Sequence, residues 1–217
     1  MEVYQIIFYI MLGIECLLLI PFTLNYSTLD KAGKSIYQYL ISSIVFAVGS
    51  VTIEQFVHNN MWFFAIMYFI QFLILSVFYS TVIKNAAVKK AIKILPVPVL
   101  IIFILDLLKI EGVDKYNSLF TTIRSFVLLV YAIIFFFQLL RDNELIEQAI
   151  FINSLPNFWF NSGLFLYLCG SFIFSLSYNY LESQKIISNI TFTITLIGGI
   201  LQLILFYIGL QNIPKRK

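Results

Sequence analysis

The chain has 217 residues, of which 60% are hydrophobic and only 12% charged, with a formal net charge of +3. A water-facing surface needs roughly twice that charged fraction, so a soluble globular fold is excluded and the apolar surface must face lipid. Basic character this slight and this dispersed also gives no reason to expect a nucleic-acid partner.

A spanning helix needs about 20 apolar residues. Seven such stretches use most of the chain, and the sequence predicts spans at about 3–24, 35–57, 60–83, 91–108, 117–140, 157–178 and 186–210. The expected fold is an all-α integral membrane bundle of seven transmembrane helices, forming a single transmembrane domain over 1–217. The first segment opens with Glu2, and its first basic residue is Lys31. It therefore lacks the cationic start of a cleavable signal peptide and is expected to remain as a helix.

Span one carries Glu15 about 12 residues in, roughly 18 Å along its axis and near the middle of the hydrocarbon. Its helical neighbours Met11, Leu12, Leu18 and Leu19 offer no counter-charge. The carboxyl must find a partner on another helix, face water or be protonated. Partners are expected on span three or span seven. Span two ends with Glu54 and His58, four apart and so on one face. Span three holds Gln71 at a depth similar to that of Glu15.

Span four is interrupted by Pro96 and Pro98, which neighbouring helices can accommodate. It ends near Asp106. Arg124 lies about two turns into span five, and the short connection makes these spans antiparallel neighbours. An Asp106–Arg124 ion pair is the expected arrangement. With Glu54 and His58 it makes an outer polar cluster, either a structural pair with an interfacial histidine or an outward-facing cavity.

The connection from Arg141 to Pro156 is the longest. Leu145, Ile146, Ala149, Ile150 and Ile152 fall at helical spacing, opposite Arg141, Asp142, Glu144 and Glu147. This pattern reads as a short amphipathic surface helix or a helix extension, and as a candidate docking segment for a cytoplasmic or membrane protein partner. Span six opens at Pro156, with Trp159 suited to the aromatic belt. Gly163 and Gly170 lie seven apart on one stripe, and Gly198 and Gly199 in span seven offer a complementary small-residue surface. Gln202 lies deeper in span seven. Amides in spans mostly cross-link helices, yet Glu15, Gln71 and Gln202 are also the candidates for a ligand- or proton-linked pocket.

Charge sets the expected orientation. With the N-terminus outside, Lys31, Lys34, Lys84, Lys89, Lys90, Lys93, Arg141, Lys215, Arg216 and Lys217 fall on the cytoplasmic side, against Lys109, Lys115 and Lys185 outside. This ten-to-three bias follows the positive-inside rule and places the C-terminus in the cytoplasm.

Several chemistries are excluded. One histidine rules out bis-His haem and a His-cluster metal site. The absence of lysine in span seven rules out a retinal Schiff base there. No phosphate-binding loop, nucleophile elbow or H-E-x-x-H motif is present, so no catalytic, metal or cofactor site is expected. Cys16 and Cys169 both lie in apolar segments and read as small core residues.

The segments Tyr68-Phe69-Ile70-Gln71-Phe72 through Phe78-Tyr79, and Phe158-Trp159-Phe160-Asn161-Ser162-Gly163-Leu164 through Tyr167-Leu168-Cys169-Gly170, resemble a group of small bacterial seven-span membrane proteins of largely unassigned function. Their layout is similar to that of the membrane input modules of sensor histidine kinases. Gln71 stands where a glutamate is typical of that group. The resemblance implies a sensory or receptor-like module in a bacterial inner membrane, acting through a separate cytoplasmic partner. The alternative is a small-solute or ion transporter, or a subunit of one, for which internal repeat symmetry is the expected mark.

Overall fold

The computed structural model describes residues 3–142, 151–183 and 189–214. It is all-α, and seven helices are long and apolar enough to cross a membrane. They are α1 (Val3–Leu24), α2 (Lys31–Val57), α3 (Met61–Val82), the pair α4 (Ala86–Ile94) and α5 (Pro96–Leu105), α6 (Ser118–Leu140), α7 (Pro156–Ser183) and α8 (Asn189–Gln211). A π-helical turn, Asp106–Ile110, continues α5, so that Ala86–Ile110 forms one span.

Helix caps move two starts from their expected places. Asp30 accepts from the Gly33 amide at 2.7 Å and fixes the first turn of α2 at Lys31, four residues early. Asn85 accepts from the Ala87 and Val88 amides at 2.9 and 3.1 Å, and starts the fourth span at Ala86 rather than 91. Hydropathy misses both because the first turns carry lysines, whose heads reach water while their stems lie along the helix. Pro96 occupies the first position of α5, where its ring fits. Leu95 stays right-handed at φ −55°, ψ −29°, so the span continues through the break.

Six spans form a closed ring in the order α1, α2, α3, α6, α7, α8 and back to α1, and the α4–α5 span lies outside it against α3 and α6. The core runs through α3 (Phe72, Leu75, Phe78), α6 (Phe120, Leu128) and α7 (Phe160, Leu164). Lipid-facing positions are apolar too: Ile10, Leu17 and Leu24 of α1 are exposed, as are Val97 and Ile101 of α5. Asn161 binds three helices together. It accepts from the Tyr79 hydroxyl at 3.0 Å and donates to the Ala132 carbonyl at 3.2 Å.

The small-residue stripe lets α7 and α8 approach closely. A Cβ on Gly163 would lie 2.9 Å from the Gln202 carbonyl oxygen, whereas one on Gly170 would lie 3.5 Å from Thr195 Cα. Gly198 faces the Leu166–Tyr167 backbone, and Gly199 faces the Met11 sulfur of α1.

At one end of the ring the connections are tied by Asn59 to Asp114 (2.7 Å) and by Asn179 to Glu111 (2.7 Å). At the other end, Lys84 pairs with Asp142 at 2.9 Å and Trp159 donates to the Asn153 carbonyl at 2.7 Å. Half of the amphipathic segment expected over 141–156, residues 143–150, lies outside the described residues. Within it, Ile152–Ser154 is a short 3-10 turn leading into α7.

Candidate functional site

The ring encloses a cavity of about 100 Å³, several times what one water needs. Each contributing helix presents a single face to it. Along α2, Tyr39, Ser43, Ala47 and Ser50 recur at helical spacing. Phe64, Tyr68 and Gln71 do the same on α3, and Thr195, Gly199 and Gln202 on α8. Glu15 enters from α1 and Tyr167 from α7.

Glu15 is 4% exposed. Its Oε1 accepts from the Ser43 hydroxyl at 2.6 Å, while Oε2 has no hydrogen-bond partner. Gln202 is equally buried, and its Nε2 also lacks a partner. Burying a carboxylate oxygen or an amide N–H without a partner costs on the order of 1–3 kcal/mol, more where the group is charged. Two such groups lining one cavity define a place where a hydrogen-bonding guest gains.

The structure therefore gathers Glu15 and Gln71, which the sequence matched only by depth, and Gln202, which it placed deeper, onto one cavity. Glu15 packs against span seven, as expected, but its direct bond is to Ser43 on span two, because α1 packs between α2 and α8. A lone hydroxyl in an apolar span is a weak signal. Tyr39, Ser43 and Ser50 at intervals of four and seven were the trace that could have revealed it.

The expected Asp106–Arg124 ion pair is not formed. Asp106 is fully buried at the start of the π turn, and its Oδ2 accepts from the Phe120 amide at 2.8 Å. It thus satisfies a free amide at the beginning of α6, where Asn117 provides no side-chain cap. Arg124 points instead toward the middle of the ring. Its Nη2 donates to Gln71 Oε1 at 3.3 Å, and its guanidinium lies 4.7 Å from the centre of the Tyr68 ring. Arg124 is 0% exposed, and Nε and Nη1 have no partner. Side-chain direction explains the error: six residues beyond the helix start, the arginine rises into the bundle between α3 and α6.

Nor do Glu54 and His58 join Asp106 and Arg124 in an outer cluster. Glu54 accepts from the Asn60 amide at 2.9 Å. His58 takes the left-handed region at φ 58°, and its backbone N–H closes the last turn of α2 on the Glu54 carbonyl. Among the described residues no side-chain hydrogen bond or ion pair joins any two of these four, and the one link between them is the backbone bond from His58 N–H to the Glu54 carbonyl at 3.1 Å. The polar network at that end instead centres on Glu111, which accepts from Ser118 Oγ at 2.6 Å and from Asn179.

The fold and this interior define a multi-pass membrane protein with seven spanning helices, five of which line an interior cavity that carries a few polar groups. No family model, curated protein or solved structure matches the chain.

Proposed function

We propose that the chain is a sensory or receptor-like module of a bacterial inner membrane, forming one transmembrane domain over its full length. A small ligand enters the cavity at Glu15, and its occupancy is passed to a separate cytoplasmic protein. The observation that carries this reading is the buried Glu15 side chain, which lines a cavity large enough for a guest and whose second carboxyl oxygen has no hydrogen-bond partner. The ten-to-three distribution of basic residues supports an external N-terminus and a cytoplasmic C-terminus. On that orientation residues 141–156 face the cytoplasm and form the docking segment. Helices α1 and α8 carry the signal, since both line the cavity and pack against each other.

The test is photo-crosslinking from within 141–156 in cells. One protein should be captured reproducibly, and its yield should change in Glu15→Gln. Capture that is indifferent to Glu15 contradicts a coupled sensor. The mid-span carboxylate lining a cavity also favours a second reading, solute transport driven through Glu15. Solute flux into proteoliposomes that Glu15→Gln abolishes would establish transport in place of sensing.

A further inference from the structure

We infer that the cavity accepts a small organic ammonium: a protonated amine on a compact apolar, preferably aromatic, body. This rests on the cavity being a ligand site and adds the chemistry of the guest. Among the described residues, Glu15 is the one ionisable side chain in the cavity wall apart from tyrosine phenols. Its free oxygen, Oε2, is an acceptor without a donor. The charge that best complements it is a cation able to donate a hydrogen bond, and among the described residues no lysine, arginine or histidine lines the space.

The remaining wall decides between a metal ion and an organic cation. Phe8, Phe46 and Phe64 line it beside the Tyr39, Tyr68 and Tyr167 rings. Phe46 packs edge-on to Phe64 at 4.7 Å between centroids and lies 5.2 Å from Tyr68, so this wall is a connected aromatic group. Rings of this kind attract a cation through their faces and shed water at little cost. A bare metal ion would find one carboxylate and a few neutral oxygens here, too few to replace its hydration shell. An organic ammonium needs only the carboxylate for its N–H groups and rings for its body. Gln202, in the wall beside Tyr39, offers its amide to an acceptor, such as a hydroxyl, elsewhere on the guest. Arg124 stands behind Gln71 and Tyr68, outside the wall, with its guanidinium over the Tyr68 ring.

Three near-isosteric probes separate the possibilities: 2-phenylethylamine, 2-phenylethanol and 3-phenylpropanoate. Their binding to the full chain in nanodiscs is measured by calorimetry and by ligand-induced rise in unfolding temperature. The amine should bind at least tenfold more tightly than the alcohol, and the carboxylate weakest. Glu15→Gln, which keeps size and the Ser43 contact, should erase the amine's advantage while leaving the unliganded unfolding temperature within a few degrees. Phe64→Leu, which conserves bulk, should weaken the amine several-fold more than the alcohol and serves if Glu15→Gln fails to fold. Preference for the alcohol or the carboxylate overturns the ammonium and leaves the cavity as a ligand site. Binding of none of the three overturns both. Amine binding unchanged in Glu15→Gln and in Phe64→Leu places it elsewhere on the protein and also overturns the inference.

Discussion

Gly163 and Gly170 are indistinguishable in the sequence, seven residues apart on one stripe of α7, yet replacing each by alanine should give opposite results. A Cβ at Gly163 would meet the Gln202 carbonyl oxygen at 2.9 Å and its Cα at 3.2 Å, both backbone atoms of α8 that cannot rotate away. Restoring ordinary contact near 3.4 Å requires the two helices to part by about half an ångström along much of their shared length. Overpacking of this kind costs about 1–3 kcal/mol. The gain in helix propensity from glycine to alanine returns up to about 1 kcal/mol. The net expectation for Gly163→Ala is a loss of about 1–2 kcal/mol. At Gly170 the nearest atom to a new Cβ is Thr195 Cα at 3.5 Å, an ordinary contact, so Gly170→Ala should be neutral or slightly stabilising. Equilibrium unfolding in mixed micelles, following the tryptophans, measures both. Equal effects, or a stabilised Gly163→Ala, would refute the close α7–α8 contact that also sets the position of Gln202.

Because Asp106 and Arg124 do not touch, a double-mutant cycle on Asp106→Asn and Arg124→Gln should show coupling below about 0.5 kcal/mol, while Arg124→Gln with Gln71→Leu should couple more strongly; coupling above about 1 kcal/mol in the first cycle would restore the ion pair. Asn161→Leu should lose about 1–3 kcal/mol in the same unfolding assay, since it strands the Tyr79 hydroxyl in the core and removes the second bond to the Ala132 carbonyl, and wild-type stability would show that Asn161 does not bind the three helices together. With Cys16 and Cys169 replaced, single cysteines at Asn59 and Asn179 should react with an impermeant thiol reagent on intact cells and one at Asn143 should not; the reverse pattern would invert the proposed orientation.

The spans were legible because lipid demands about 20 apolar residues at a time, and even the weak fourth span, with Pro96 and Pro98, is present. Its start was not legible, because Asn85 caps a turn whose lysines look like a loop to any measure of hydropathy. The interior was half legible. A carboxylate and two amides stand out in apolar spans, so Glu15, Gln71 and Gln202 could be singled out, although only Glu15 and Gln71 read as lying at one depth. Depth says nothing of rotation about a helix axis, which is why Arg124 was assigned to Asp106 rather than to Gln71 and Tyr68. Serine and tyrosine carry too little polarity to stand out, so Ser43 and the ring-lined wall emerged only with the packing. The capping role of Asp106 depends on a π turn that no residue pattern announces.

The central claim is that the space beside Glu15 and Gln202 is a ligand site. The most direct measurement is an experimental density map of the protein extracted gently from its own membrane and never exposed to added amines. The account predicts non-protein density in the cavity, larger than water and within hydrogen-bonding distance of Glu15 Oε2. Ordered water alone, or Glu15 and Gln202 closing onto each other with the space gone, would contradict it.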